Sequence, residues 1–205
     1  MTDAPLATPR EVLDFWLDEV GEDGWYAGGD ALDARVRDRF LPTWAAAMEG
    51  RMGLWLMVPA DALAYCILLD QFPRNMFRGD PRSFASDRHA RAAAKTAIGR
   101  GWDLLVPSPE RQFFYMPLEH SENLVDQDRA VRLFVARMPE AGEQILHARA
   151  HREQIRRFGR FPMRNEVLRR PSTPEEQEFL SRGGYPALVE EMRARDGAMR
   201  EAQAS

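Results

Sequence analysis

One stretch constrains the fold more than any other, running from Leu63 to Asn75: Leu-Ala-Tyr-Cys-Ile-Leu-Leu-Asp-Gln-Phe-Pro-Arg-Asn. From Ala62 to Leu69 every residue is apolar or aromatic, and then the composition flips to Asp70, Gln71, Arg74 and Asn75. The run is too short to span a membrane, which takes about 20 apolar residues. A segment apolar on every side reads as a buried helix, so this stretch is expected to form the central helix of the fold. Pro73 biases Phe72 away from helical angles, which predicts that the helix ends at Gln71 or Phe72. A polar cluster would then sit where a core helix breaks open.

The rest of the chain reads as helices joined by short links. Thr8-Pro9-Arg10-Glu11 carries three agreeing start signals, a capping threonine, a proline at the first helical position and a capping-box glutamate. Asp30 is placed to cap a second helix, in which Pro42 predicts a kink or a division. Ser86 is expected to cap an alanine-rich helix over 87–98, and Ser121 the helix after it that ends at Met138. A further helix is expected from Pro139 or Glu140 to about Phe158, and Thr173-Pro174-Glu175-Glu176 repeats the opening signature. No segment alternates apolar and polar residues long enough to make a strand. The expectation is one all-α domain over 1–205, with eight or nine helices in stacked antiparallel pairs. Its core spans roughly 8–182, with a peripheral C-terminal helix at 186–202. No 34-residue period is visible, so a repeat array is not read from the sequence itself.

Composition excludes several classes of function. A formal charge of −4 is a poor match for a protein that coats nucleic acid. The single Cys66 has no partner for an internal disulfide and falls inside the apolar run, where it reads as a small core residue. The first residues, Met-Thr-Asp-Ala-Pro, lack the basic and apolar regions of a secretory signal, so a cytoplasmic protein is expected. No Gly-rich phosphate loop and no Gly-x-Ser-x-Gly elbow occurs, and no cofactor is expected.

Four polar constellations remain. Asp70, Gln71, Arg74 and Asn75 suit either a polar ligand or the backbone carbonyls freed at a broken helix end. His120-Ser121-Glu122, with Glu119 beside it, reads as an acid/base pair or as a helix cap. His147 and His151 stand four apart on one helix face, as metal ligands can. The zinc-protease pattern needs glutamate after the first histidine, where Ala148 stands, so no metal ligand is assigned. Between His147 and Arg170 lie eight arginines and two glutamates, a cluster suited to phosphates, an acidic partner or internal ion pairs.

Leu68-Leu69-Asp70-Gln71-Phe72-Pro73-Arg74-Asn75, His120-Ser121-Glu122 and the run from Arg157 to Asn165 occur in this order. Together they make the chain resemble the bacterial and fungal family of unknown function numbered 924. The likeness extends from Val12-Leu13-Asp14-Phe15-Trp16 to Thr173-Pro174-Glu175-Glu176. It implies an all-helical fold similar to tetratricopeptide-repeat superhelices and no established activity. Against the family pattern, Met163 stands where histidine is usual, Arg169 where glycine is usual, and Glu119 where the residue is commonly apolar. The leading expectation is therefore a pocket for a small anionic ligand. Asp70, Gln71, Arg74, Asn75, His151, Arg160, Arg164 and Asn165 would bind it, with His120 and Glu122 as acid and base. The alternatives are a helical scaffold holding a protein or peptide, with the polar motifs as structural clamps, and a metal-dependent hydrolase. Neither a membrane nor nucleic acid is expected as a partner.

Overall fold

The computed structural model describes residues 5–204, and every regular element among them is helical, so the protein is all-α. Of the first five residues, only Pro5 is described; the signal-peptide reading otherwise lies outside the described residues. Among the described residues no helix is long and apolar enough to cross a membrane. The chain divides into two compact units, Met1–Leu118 and Glu119–Ser205.

In the first unit, Thr8 and Glu11 close the expected capping box on α1 (Pro9–Leu13), which continues as a wide π turn over Asp14–Val20. After α2 (Gly21–Trp25), α3 runs from Asp30 to Met48 without being divided at Pro42. Asp30 is its first residue, and Gly29 holds the cap position. The apolar run forms α4 (Pro59–Cys66) and a π segment over Ile67–Gln71, with every residue from Ala62 to Gln71 buried. Contacts with α1, with α6 (Asp87–Gly99), and with the 3-10 turns Gly53–Met57, Trp102–Leu105 and Glu110–Phe114 make it the central helix of this unit. Aromatic rings fill the remaining core: Phe72 meets Phe40 at 4.6 Å, Trp16 at 5.5 Å and Phe15 at 5.9 Å between centroids.

Pro73 does not end the helix, contrary to expectation. Gln71 and Phe72 keep right-handed helical angles, and the chain continues directly into α5 (Phe72–Met76). The reason lies in the π segment. There the Phe72 N–H bonds five residues back to Ile67 O, so the widened turn accommodates a ring that would collide with the i−4 carbonyl. Leu69 O, which would otherwise accept the N–H that Pro73 lacks, receives the Ser86 hydroxyl at 2.7 Å. This also corrects the reading of Ser86. It stands at the cap position of α6, but its side chain makes no cap and instead bridges Leu69 O and the Trp44 indole, 3.1 Å away.

The second unit begins at Glu119, the last residue of α7 (Met116–Glu119). Asn123, not Ser121, caps α8 (Leu124–Arg137), accepting from Val125 N at 2.9 Å. Residues 138–141 turn the chain into α9 (Gly142–Phe158), and the two pack on each other as a helical hairpin. Gly159 stops α9 with φ 68°, the left-handed cap that glycine adopts most readily. The second capping box, Thr173 with Glu176, opens α10 (Pro174–Ser181) as expected. The last helix, α11 (Gly184–Ala204), is not peripheral along its whole length. Leu188 and Val189 join Leu146 and Ala150 in the core of this unit, with Phe179, Tyr185 and Met192 packed against them.

Candidate functional site

In the first unit the polar residues at the helix end are bound to one another and to neighbouring helices. Asp70 is buried and receives the Gln71 amide, while Arg74 reaches the Asp70 carbonyl and stands 3.4 Å from its carboxylate. The same guanidinium spans both Asp87 oxygens, at 3.1 and 3.3 Å. Asn75 donates to Asp33 at 2.8 Å, and Arg78 grips the same carboxylate at 2.8 and 3.0 Å. Burial works to raise the Asp33 pKa, but the bonds from Arg78 and Asn75 outweigh it and hold the carboxyl below its ordinary value. Arg37 of α3 fastens the end of α5 by two bonds to Met76 O, at 3.1 and 2.9 Å. Left unpaired, such buried groups would cost about 1–3 kcal/mol each, so this network is what permits a core helix to end in polar residues.

Much of the arginine cluster in the second unit is paired in the same way. Arg160 forks onto Glu176 at 2.6 and 2.7 Å and also bonds Pro171 O. Asn165, buried, donates to Glu176 and to Ser172, both at 3.1 Å. The hydrogen bonds from Arg160 come first among the forces that depress the Glu176 pKa, which falls to about 2. Glu122 accepts from Arg170 at 2.7 and 2.9 Å and from the Phe161 amide at 2.9 Å. Ser121 bonds Asp126 at 2.9 Å. Arg169 adopts φ 52°, the left-handed region that side chains other than glycine rarely occupy.

A different chemistry gathers around α9. His147 and His151, one turn apart on one face, both meet the hydroxyl of Tyr185 from α11, at 2.6 and 3.1 Å from their Nδ1 atoms. Glu119 places Oε1 2.8 Å from His151 Nδ1, and the His147 carbonyl lies 2.9 Å from the same nitrogen. A carboxylate and a carbonyl both accept, so Nδ1 of His151 carries the proton and the lone pair of the neutral ring falls on Nε2. Nε2 has no hydrogen-bond partner among the described residues. The His120 and His151 rings meet in a T-shaped arrangement at 6.0 Å between centroids, and Phe161 meets His151 at 5.5 Å. Arg164 lies 4.6 Å above the Phe161 ring and donates to the His120 carbonyl at 3.0 Å.

Burial shapes the electrostatics of this cluster. It works to raise the Glu119 pKa, yet His151, His120 and His147 together hold the carboxyl below its ordinary value. His147 is pushed down by burial, against the pull of Glu119, and the Tyr185 phenol is pushed up by burial and by the Glu119 charge. The phenol therefore stays an O–H donor. Gln154, fully buried on the same face of α9 as His147 and His151, has no hydrogen-bond partner on either amide atom. No group of three or more His, Cys, Asp or Glu that could hold a metal ion occurs among the described residues, so the metal-hydrolase alternative has no ligand set there.

His120, His151 and Arg164 of the expected site thus lie in one cluster. Tyr185 is the member that sequence reasoning missed. It stands 34 residues from His151, and no spacing pattern links them. The chain sets Glu119 beside His120, while the imidazole it pairs with at 2.8 Å lies on a different helix.

The comparisons agree with this all-helical chain. The family described as "Bacterial protein of unknown function (DUF924)" matches residues 12–184. A solved structure of a protein of unknown function from Agrobacterium tumefaciens is similar at 41% identity and a TM-score of 0.79, covering 84% of this chain and 96% of that one. None of the curated proteins matches. With most of its length matched by the family and a similar fold at this identity, the chain belongs to the bacterial DUF924 family of unknown function.

Proposed function

We propose that the second unit binds a small anionic ligand beside His120 and Arg164, and that His151 Nε2 performs acid/base chemistry on it. The observation that carries this reading is the buried Glu119 carboxylate, 2.8 Å from His151 Nδ1. A carboxylate that fixes one imidazole nitrogen orients the ring and frees the other as a base. Arg164 supplies the cation for a carboxylate or phosphate group. Glu122, Arg160 and Asn165 serve this site as support, through their bonds to Arg170, Phe161 and Glu176.

The test is an NMR titration of the full chain with inorganic phosphate and with malonate, following the imidazole signals. The His120 and His151 signals should shift saturably, and Arg164→Gln should weaken the response by roughly tenfold or more. Shifts that stay linear with anion concentration, or that are unchanged in Arg164→Gln, would sink the reading.

One observation favours a second reading, a helical scaffold whose polar motifs are clamps. Asp70, Gln71, Arg74 and Asn75 bond one another or the flanking Asp87 and Asp33, which is how a clamp behaves. A pull-down that recovers a stoichiometric peptide-bearing partner, abolished by surface substitutions and not by His151→Asn, would favour it over the anion site.

A further inference from the structure

We propose that a hollow between α4 and α6 in the first unit binds a small aromatic carboxylate, independently of the histidine cluster. The hollow follows from side-chain size. On α6, His89, Ala92, Ala93, Thr96 and Ala97 recur at the spacing of one helix face, and the small alanine and threonine side chains leave space against Ala62 and Tyr65 of α4. Leu56 and Trp102, from the two flanking 3-10 turns, complete the wall. The hollow is partly open to solvent and holds about 190 Å³. An apolar cavity of about 150 Å³ holds benzene, so a single ring with one substituent fits here. Drug-sized ligands, which need about 300 Å³ or more, would not be held within it.

Two further observations say what kind of ring. Tyr65 is 7% exposed and lines the hollow, yet its hydroxyl has no hydrogen-bond partner among the described residues. The phenol O–H is therefore a donor that no described protein group uses, available to an acceptor oxygen in the hollow. The second is charge. Arg100 lies 4.7 Å over the Trp102 ring and 3.4 Å from Leu56 O, bonded to two residues of the wall. Arg88 bonds the wall residue His89 at 3.1 Å. Neither guanidinium has a carboxylate partner among the described residues. Aromatic walls favour a ring, and a phenol donor with guanidiniums bonded to the wall residues His89, Leu56 and Trp102 favours an anionic oxygen on it.

Isothermal titration of the full chain with benzoate, phenylacetate and neutral benzyl alcohol tests this. At least one aryl acid should bind saturably at one site, about tenfold or more tighter than the alcohol. Ala92→Leu, at an exposed position that fills the hollow, should weaken binding by about tenfold or more while the circular dichroism and melting curve stay those of the parent. Tyr65→Phe should weaken it about three- to tenfold. His151→Asn should leave it unchanged, which separates this site from the anion site of the second unit. The proposal is overturned if no aryl acid saturates below about 10 mM, if the alcohol binds equally well, or if binding survives both Ala92→Leu and Tyr65→Phe intact.

Discussion

Asp70 and Glu119 are both buried carboxylates at the end of a helical segment, and their partners differ in kind. Asp70 sits beside Arg74, whose guanidinium also spans Asp87, within a group that includes Gln71 and leads on to Asn75, Asp33 and Arg78. Glu119 sits beside His151, with His147 and Tyr185 behind it. A guanidinium stays charged at any pH a protein survives, so it makes a permanent strut. An imidazole changes charge between about pH 5 and 8 and has a second nitrogen to offer. The difference teaches that burial and hydrogen bonding alone do not separate a clamp from a site. What separates them is whether the partner retains a group able to react.

The comparison can be broken or sharpened by experiment, beginning where the effect is largest. Phe72→Ala should destabilise the first unit by about 3–5 kcal/mol in urea denaturation, since it empties the centre of the aromatic core beneath the helix-end network. A loss below about 1 kcal/mol would mean that the polar struts, and not the core, hold that region. Ser86→Ala should cost about 1–3 kcal/mol by the same measurement, because Leu69 O and the Trp44 indole both lose their partner. Full stability in that variant would show that the π segment tolerates Pro73 without help.

The pH response distinguishes the two clusters directly. The folded pKa of His147 is depressed, chiefly by burial, so the unfolded chain binds the extra proton first. Stability of the second unit should therefore fall as pH drops below about 6.5. Glu119 is also depressed in the folded state, so a second loss follows as pH falls below its ordinary value of 4.5. Hydrogen exchange should show α9 losing protection between about pH 7 and 5, while α4 and α5 keep theirs. Equal loss in both helices would dissolve the distinction.

The smallest expected effect is at Arg169. Arg169→Gly removes a left-handed strain of about 1–2 kcal/mol against a glycine entropy cost of about 0.5–1 kcal/mol. The variant should be slightly more stable in thermal denaturation, and a clear destabilisation would show that the arginine side chain holds the turn.

Both capping boxes, at Thr8 and Thr173, were legible in the sequence because a cap uses residues within one helical turn. The burial of Ala62–Leu69 was legible too, since an all-apolar run has no face to give to water. Reading failed where a distant residue intervened. Pro73 forecast a helix end that the π turn and Ser86 prevent, and Ser121 forecast a cap that Asn123 supplies. At the candidate site, His120, His151 and Arg164 stood out as polar motifs, but the roles did not follow. Glu122 looked like the acid beside His120, yet both its oxygens are engaged by Arg170.

The amino-acid sequence by itself determined that this protein is helical and where several helices begin, because periodicity and capping act over three or four residues. It also determined that Leu63 to Asn75 runs from an apolar core into a polar end. Tertiary structure alone decided that this polar end continues as helix and is tied into Asp33 and Asp87. It alone brought Glu119, His147, His151 and Tyr185 together from three helices. Such partners are chosen by packing in three dimensions, and nothing in the local spacing of a chain encodes which side chain arrives opposite a given nitrogen.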